Sequence, residues 1–99
     1  MRIISKPILQ KFWLQNSSAK IPLLDWYRQS KKAGWKNLAE IRTVFPHADL
    51  VGECVVFNIG GNKYRLITKI NYRAKIIYIR FILTHKEYDQ DRWKNDCRC

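Results

Sequence analysis

A chain of 99 residues has room for one modest core and none for a second domain, so residues 1–99 read as a single domain. With 46% hydrophobic and 13% aromatic residues it carries enough apolar surface to offset the entropy of ordering, which excludes wholesale disorder. Its 19 lysines and arginines against 8 acids give a formal charge of +11, beyond what solubility needs, so an acidic partner is expected, nucleic acid ahead of a membrane surface.

Arg2 to Ile4 reads as a short strand, after which Ser5 can cap a helix with Pro7 in its first turn. Ile8, Leu9, Phe12 and Trp13 recur at helical spacing and form one buried stripe. Ser17 and Ser18 offer the next cap, and Ala19 to Ala33 sets Leu23, Trp26, Tyr27 and Ser30 along one side before Gly34 closes the helix. Asn37 and Glu40 begin a further helix, with Ile41, Val44 and Phe45 at apolar positions and Pro46 as its stop. The period then changes: Glu53–Ile59, Lys63–Ile70 and Lys75–Leu83 are rich in β-branched and aromatic residues, separated by the turns at Gly60-Gly61-Asn62 and Asn71-Tyr72-Arg73-Ala74. This predicts a three-stranded antiparallel meander. Thr84 and Glu87 have the spacing of a capping box, which predicts a last helix running towards Trp93.

Side chains alternate across a strand, so parity sorts the meander into two faces. Tyr64, Leu66, Thr68 and Ile70 share one side with Val55, Phe57 and Ile59, and the row Ile77, Ile79, Phe81 and Leu83 is wholly apolar. That face is the expected core. The other carries Asn58, Lys63, Arg65, Lys69, Tyr78 and Arg80. Same-face neighbours lie roughly 7 Å apart, near the spacing of successive phosphates, so this row suits an RNA backbone, with Tyr78 as a stacking surface. A merely solvated face is the alternative reading.

Two histidines are candidates for chemistry. His47 follows Pro46 in a connecting loop, where an exposed histidine without function is the default reading, whereas His85 stands three residues before Tyr88 and four before Asp89, so one helix brings the three together. The helix N-terminus disfavours protonation of His85 and a bound phosphate favours it. RNA supplies its own nucleophile, the 2′-hydroxyl; cleavage then needs a proton acceptor, cations for the phosphorane and an acid for the leaving oxygen. His85, Arg65 and Tyr88 can divide those roles. On spacing alone, packing is the competing reading.

No metal or cofactor is expected. Glu87 and Asp91 are too few for a two-metal nuclease, and Gly60-Gly61-Asn62-Lys63 lacks the phosphate-loop pattern and joins two strands. Three cysteines cannot all pair within one chain, and Met1 to Gln10 lacks the apolar centre of a signal peptide, so free thiols in a reducing cytoplasm are expected. The Cys97-x-Cys99 spacing is a metal site only if further ligands converge on it.

The run Val55-Val56-Phe57-Asn58-Ile59-Gly60-Gly61-Asn62-Lys63-Tyr64-Arg65-Leu66, then Tyr78-Ile79-Arg80-Phe81-Ile82 and Thr84-His85-Lys86-Glu87-Tyr88-Asp89, resembles the signature of HigB toxins. Met1-Arg2-Ile3-Ile4-Ser5 and Trp26-Tyr27 extend the resemblance into the N-terminal half. It implies a RelE-like α+β fold, with a curved antiparallel sheet (the three-stranded meander plus the N-terminal strand) packed on N-terminal helices and followed by a short C-terminal helix. It also implies a type II toxin–antitoxin toxin that cleaves mRNA without a metal, in many families on the ribosome, held inactive by a helix-turn-helix, HigA-like antitoxin. The likeness puts Arg65 on the arginine that contacts the scissile phosphate, His85 near the catalytic basic positions and Tyr88 at the phenol. Asn58, Lys63, Lys69, Tyr78, Arg80 and Lys86 become RNA contacts. Gly60 stands where relatives often carry lysine and Leu83 where they often carry glycine, and the resemblance does not extend to the tail from Gln90 to Cys99. The rival reading is a non-catalytic RNA- or ribosome-binding module of the same fold; a membrane-disrupting cation would need an exposed amphipathic helix that the sequence lacks.

Overall fold

The computed structural model describes residues 1–98. The elements run β1 (Arg2–Ile4), α1 (Lys6–Gln15), a 3-10 turn (Ser17–Ala19), α2 (Lys20–Lys32), α3 (Leu38–Arg42), β2 (Asp49–Val51), β3 (Cys54–Ile59), β4 (Tyr64–Asn71), β5 (Ile76–Thr84), α4 (His85–Asp89) and α5 (Lys94–Cys97). One five-stranded sheet orders them β1-β5-β4-β3-β2. The α+β class is as expected, but the sheet is mixed: β1 pairs parallel with β5, and β2 adds an antiparallel edge strand beside β3 that periodicity in three residues cannot reveal.

Helix starts divide by cap chemistry. Asn37 accepts from the Glu40 amide at 3.0 Å, and Thr84 forms a full capping box with Glu87, as their spacings predict. Neither Ser5 nor the Ser17–Ser18 pair supplies the expected side-chain cap; Ser5 takes a left-handed backbone, and the Ser18 hydroxyl bonds the Tyr64 phenol on the sheet.

The main core lies between the sheet and the N-terminal helices. Leu9 of α1 and Leu23 and Trp26 of α2 pack with Phe57, Leu66, Ile77 and Ile79, with Ile8, Phe12 and Trp13 partly buried against them. Phe57 anchors the aromatic part of this core, with its ring 5.4 Å from those of both Trp26 and Phe45.

The expected apolar row on β5 is broken. Ile67 pairs with Phe81 and Thr68 with Ile79, so Arg80 is an extra residue in a β-bulge and the parity of β5 reverses there. Ile77, Ile79 and Ile82 face the main core, whereas Phe81 and Leu83 face the opposite side with Val56 and Ile67. A second apolar cluster therefore exists on the face predicted to be polar. The C-terminal segment covers it with Trp93 and Cys97. The last helix stops at Asp89 rather than continuing to Trp93; a turn intervenes and α5 completes the cover.

Cys54 and Cys97 form a disulfide that ties β3 to α5, which corrects the expectation of free thiols. Two cysteines 43 positions apart give no local signal that the fold will juxtapose them. Cys99, and with it half of the C-x-C pattern, lies outside the described residues. Among the described residues, no helix is long and apolar enough to cross a membrane.

Candidate ribonuclease site

The polar residues of the outer face fall into two groups around the C-terminal cover. Lys69 and Arg80 lie on one side of it and are engaged by Asp96. Arg80 makes a two-point contact with its carboxylate at 2.9 and 2.8 Å, and Lys69 approaches at 3.8 Å. The hydrogen bond from Arg80 holds the Asp96 carboxyl below the usual aspartate range, and the same bond raises the Arg80 guanidinium. Tyr78 is exposed beside Lys69 at the β1 side of the sheet, away from the other candidates along the strand.

The second group gathers where β3 and β4 meet α4. Asn58 and Arg65 are cross-strand partners, so both project from the same face. The Arg65 guanidinium donates to the backbone oxygens of Asn62 and Tyr64, each at 3.2 Å, and more loosely to the Asn62 carboxamide. Its carbon lies 5.4 Å from the centre of the Tyr88 ring. Tyr88 stacks in turn on Trp93, centroids 4.8 Å apart and planes 15° from parallel, while the Trp93 indole donates to the Tyr88 carbonyl at 2.9 Å. Burial pushes the Tyr88 phenol above its usual range, opposed in part by Arg65. The hydroxyl therefore stays protonated at neutral pH.

Residues 85, 88 and 89 share a single turn, yet their side chains part. The His85 imidazole meets Asp89 through Nδ1 at 3.1 Å, whereas Tyr88 turns to Arg65 and Trp93. The His85 amide donates to the Lys63 carbonyl at 3.1 Å, which pins the start of α4 to the β3–β4 turn. The structure thus joins Arg65 to Tyr88 and brings the His85 backbone to the same corner, without a direct contact from the imidazole to either among the described residues. Lys63 sits in the turn just ahead of β4, and Lys86 is exposed on α4. His47, set aside in the sequence as a loop residue, lines a groove of about 380 Å³ with Asn58, Gly61 and Asn62. Only the long-range pairing of the β2 connection with the hairpin puts it there.

Ligand atoms of Cys54, Asp96 and Cys97 lie within 4.8 Å of one another. The two sulfurs are bonded to each other and the carboxylate is matched by Arg80, so this trio is not a ligand set as it stands.

A mixed five-stranded sheet backed by N-terminal helices is consistent with a RelE-like fold. Residues 19–91 match the profile of the HigB toxin, described as the RelE-like toxic component of a toxin–antitoxin system. The chain is 31% identical over 93 residues to the mRNA interferase HigB of Escherichia coli O6:H1 strain CFT073, covering 91% of this chain and 90% of that relative. It is 36% identical over 61 residues to the mRNA interferase toxin HigB of Escherichia coli K12, 59% of each chain. The mRNA interferase HigB of Shigella flexneri matches to the same extent. The chain belongs to the HigB toxin family.

Proposed function

We propose that this protein is the toxin of a type II toxin–antitoxin pair, acting as an endoribonuclease that cuts mRNA through attack by the RNA's own 2′-hydroxyl. The observation that carries the reading is the Arg65–Tyr88 pair: a guanidinium braced by backbone oxygens beside a phenol that remains protonated, on a chain of charge +11. In this reading Arg65 neutralises the phosphorane as charge builds on it. His85 accepts the 2′-hydroxyl proton at Nε2, since the Asp89 contact at Nδ1 favours the tautomer with Nε2 unprotonated. Tyr88 gives its proton to the departing 5′ oxygen, leaving a 2′,3′-cyclic phosphate.

Asn58, Lys63 and Lys86 surround this corner as positioning contacts. Lys69, Tyr78 and Arg80 serve as more remote contacts to the RNA strand, with Lys69 and Arg80 weakened by their engagement with Asp96. We place the protein in the cytoplasm, with mRNA, free or on the ribosome, as substrate and a helix-turn-helix antitoxin as the partner that restrains it. No step in this scheme calls on a metal or cofactor.

Incubating the purified protein with RNA and EDTA, with and without ribosomes, tests the reading. Products ending in a 2′,3′-cyclic phosphate are expected. Tight, salt-sensitive binding without cleavage in either arm would instead identify a non-catalytic binding module.

A further inference from the structure

We infer that the groove between the α3–β2 connection and the β3–β4 turn is a nucleobase subsite, which holds one base of the RNA beside the phosphate bound by Arg65. This rests on the ribonuclease reading and assigns that site its means of choosing where to cut.

The groove is lined by His47 on one bank and by Asn58, Gly61 and Asn62 on the other. Its volume of about 380 Å³ lies within the range of roughly 300–1,000 Å³ typical of small-molecule sites. A smaller adjoining pocket of about 100 Å³ shares His47 and Asn58 and adds the apolar lining of Val44, Phe45, Pro46 and Ala48. The whole is continuous with the candidate catalytic corner. Asn58 is the cross-strand partner of Arg65, and Asn62 accepts the Arg65 guanidinium through its carbonyl.

The lining chemistry selects the occupant. This chain carries 19 lysines and arginines, and none of them lines the groove, so a phosphate finds no counter-charge inside it. What it offers are two carboxamides and an imidazole, each presenting both donors and acceptors, beside an apolar lining. A planar heterocycle with apolar faces and a hydrogen-bonding edge fits that description, and carboxamides are suited to reading such edges. Among the described residues, neither the His47 ring nor the Asn58 carboxamide has a hydrogen-bond partner, so both are available to a ligand. Gly61 keeps its bank low: its φ of +70° disfavours a side chain although a Cβ would meet nothing within 4 Å. The backbone of the turn is thereby open to close approach by a base.

The test maps the 5′ ends of products when the wild-type protein and the variants His47→Ala and Asn58→Ala cut mRNA of mixed sequence, both free and on translating ribosomes. Wild type is expected to prefer certain bases at one position flanking the cut, each variant to lose about tenfold of that preference, and His47→Ala to change the rate less on the sequences that it and wild type both accept. His47 is exposed, so its variant is expected to fold; it decides the matter alone if Asn58→Ala does not. A preference unchanged in His47→Ala, or no preference in an active wild type, overturns the subsite while the ribonuclease reading stands. A wild type inactive both on free mRNA and on ribosomes overturns both. Titration with a 2′-deoxy trinucleotide, which cannot be cut, should move the NMR resonances of the His47 ring, and silence there with shifts elsewhere on the sheet also rejects the subsite.

Discussion

The Arg65 guanidinium lies 5.4 Å from the centre of the Tyr88 ring, joining a residue in the middle strand to one in the short helix that leaves the last strand. Charge and phenol are thus held together by tertiary contact rather than by nearness in sequence. Replacing Arg65 separates two contributions. Arg65→Ala should lower the single-turnover cleavage rate about 10²–10³-fold, the usual cost of removing one transition-state donor. Arg65→Lys keeps the charge but lacks the planar fork that can brace against the Asn62 and Tyr64 carbonyls while facing a phosphate, so it should recover binding more than rate. Equal rescue of both would show that only charge matters at this position.

Tyr88→Phe retains the stack on Trp93 and removes the hydroxyl. It should leave the urea midpoint nearly unchanged and reduce cleavage by about 10²–10⁴-fold, the range for a lost general acid or base. A variant as active as wild type would exclude the phenol from proton transfer.

Tyr88 and Asp96 act on opposite edges of the pH–stability profile, with the Tyr72 phenol, also raised by burial, adding to the alkaline one. The Tyr88 phenol is raised in the folded state, so its contribution is present below the unfolded value near pH 10 and is lost as pH rises through the folded one. The Asp96 carboxyl is depressed by Arg80, so its contribution is present above about pH 4 and is lost as pH falls through its folded value. Denaturant melts across pH should show the acid limb flattened in Asp96→Asn and the alkaline limb flattened in Tyr88→Phe.

Asp96→Asn has a second expected effect. With the carboxylate gone, Lys69 and Arg80 are released towards phosphates, and the slope of log affinity for RNA against log salt should steepen by about 1–2. Fluorescence anisotropy at three or more salt concentrations measures it. A slope identical to wild type would mean that neither cation reaches the RNA.

Reduction of the Cys54–Cys97 bond, or a Cys97→Ser change, releases a loop of 43 residues in sequence separation. The chain-entropy argument sets the resulting loss of stability at about 4 kcal/mol as an upper estimate. The first movement should be local, because Trp93 and Cys97 cover the outer cluster together and Trp93 supports Tyr88. A change in tryptophan emission and faster amide exchange in α5 under dithiothreitol, ahead of global unfolding, is the expected sign.

These residues also show what a sequence makes legible. The Thr84–Glu87 capping box and the Asn37 cap lie within one helical turn, so spacing alone locates them. Arg65, Asn58 and the main core row through Phe57, Leu66 and Ile77 follow from alternation, which holds along unbroken strands. Alternation fails at the bulge, and with it the assignment of Phe81 and Leu83, because a slipped register leaves no mark in residue type. The pairing of Cys54 with Cys97, the cover formed by Trp93 and the placement of His47 all depend on contacts between distant segments. Tyr88 lay between the two cases. Its place in the same turn as His85 is readable from spacing, but its contact with Arg65 is not, because it joins α4 to a distant strand.

The bulge at Arg80 gives the last strand an unusual tolerance. Without that residue, Ile79, Phe81, Ile82 and Leu83 would still alternate correctly between the two apolar clusters, so neither layer requires Arg80, whose side chain is held by Asp96 instead. Substitution, or even deletion, at this one position can change the charge presented to a partner while both hydrophobic layers keep their register. What such a change removes is the charged tie to Asp96, so its cost falls on the anchoring of the C-terminal cover and on the acid limb of stability rather than on either apolar layer.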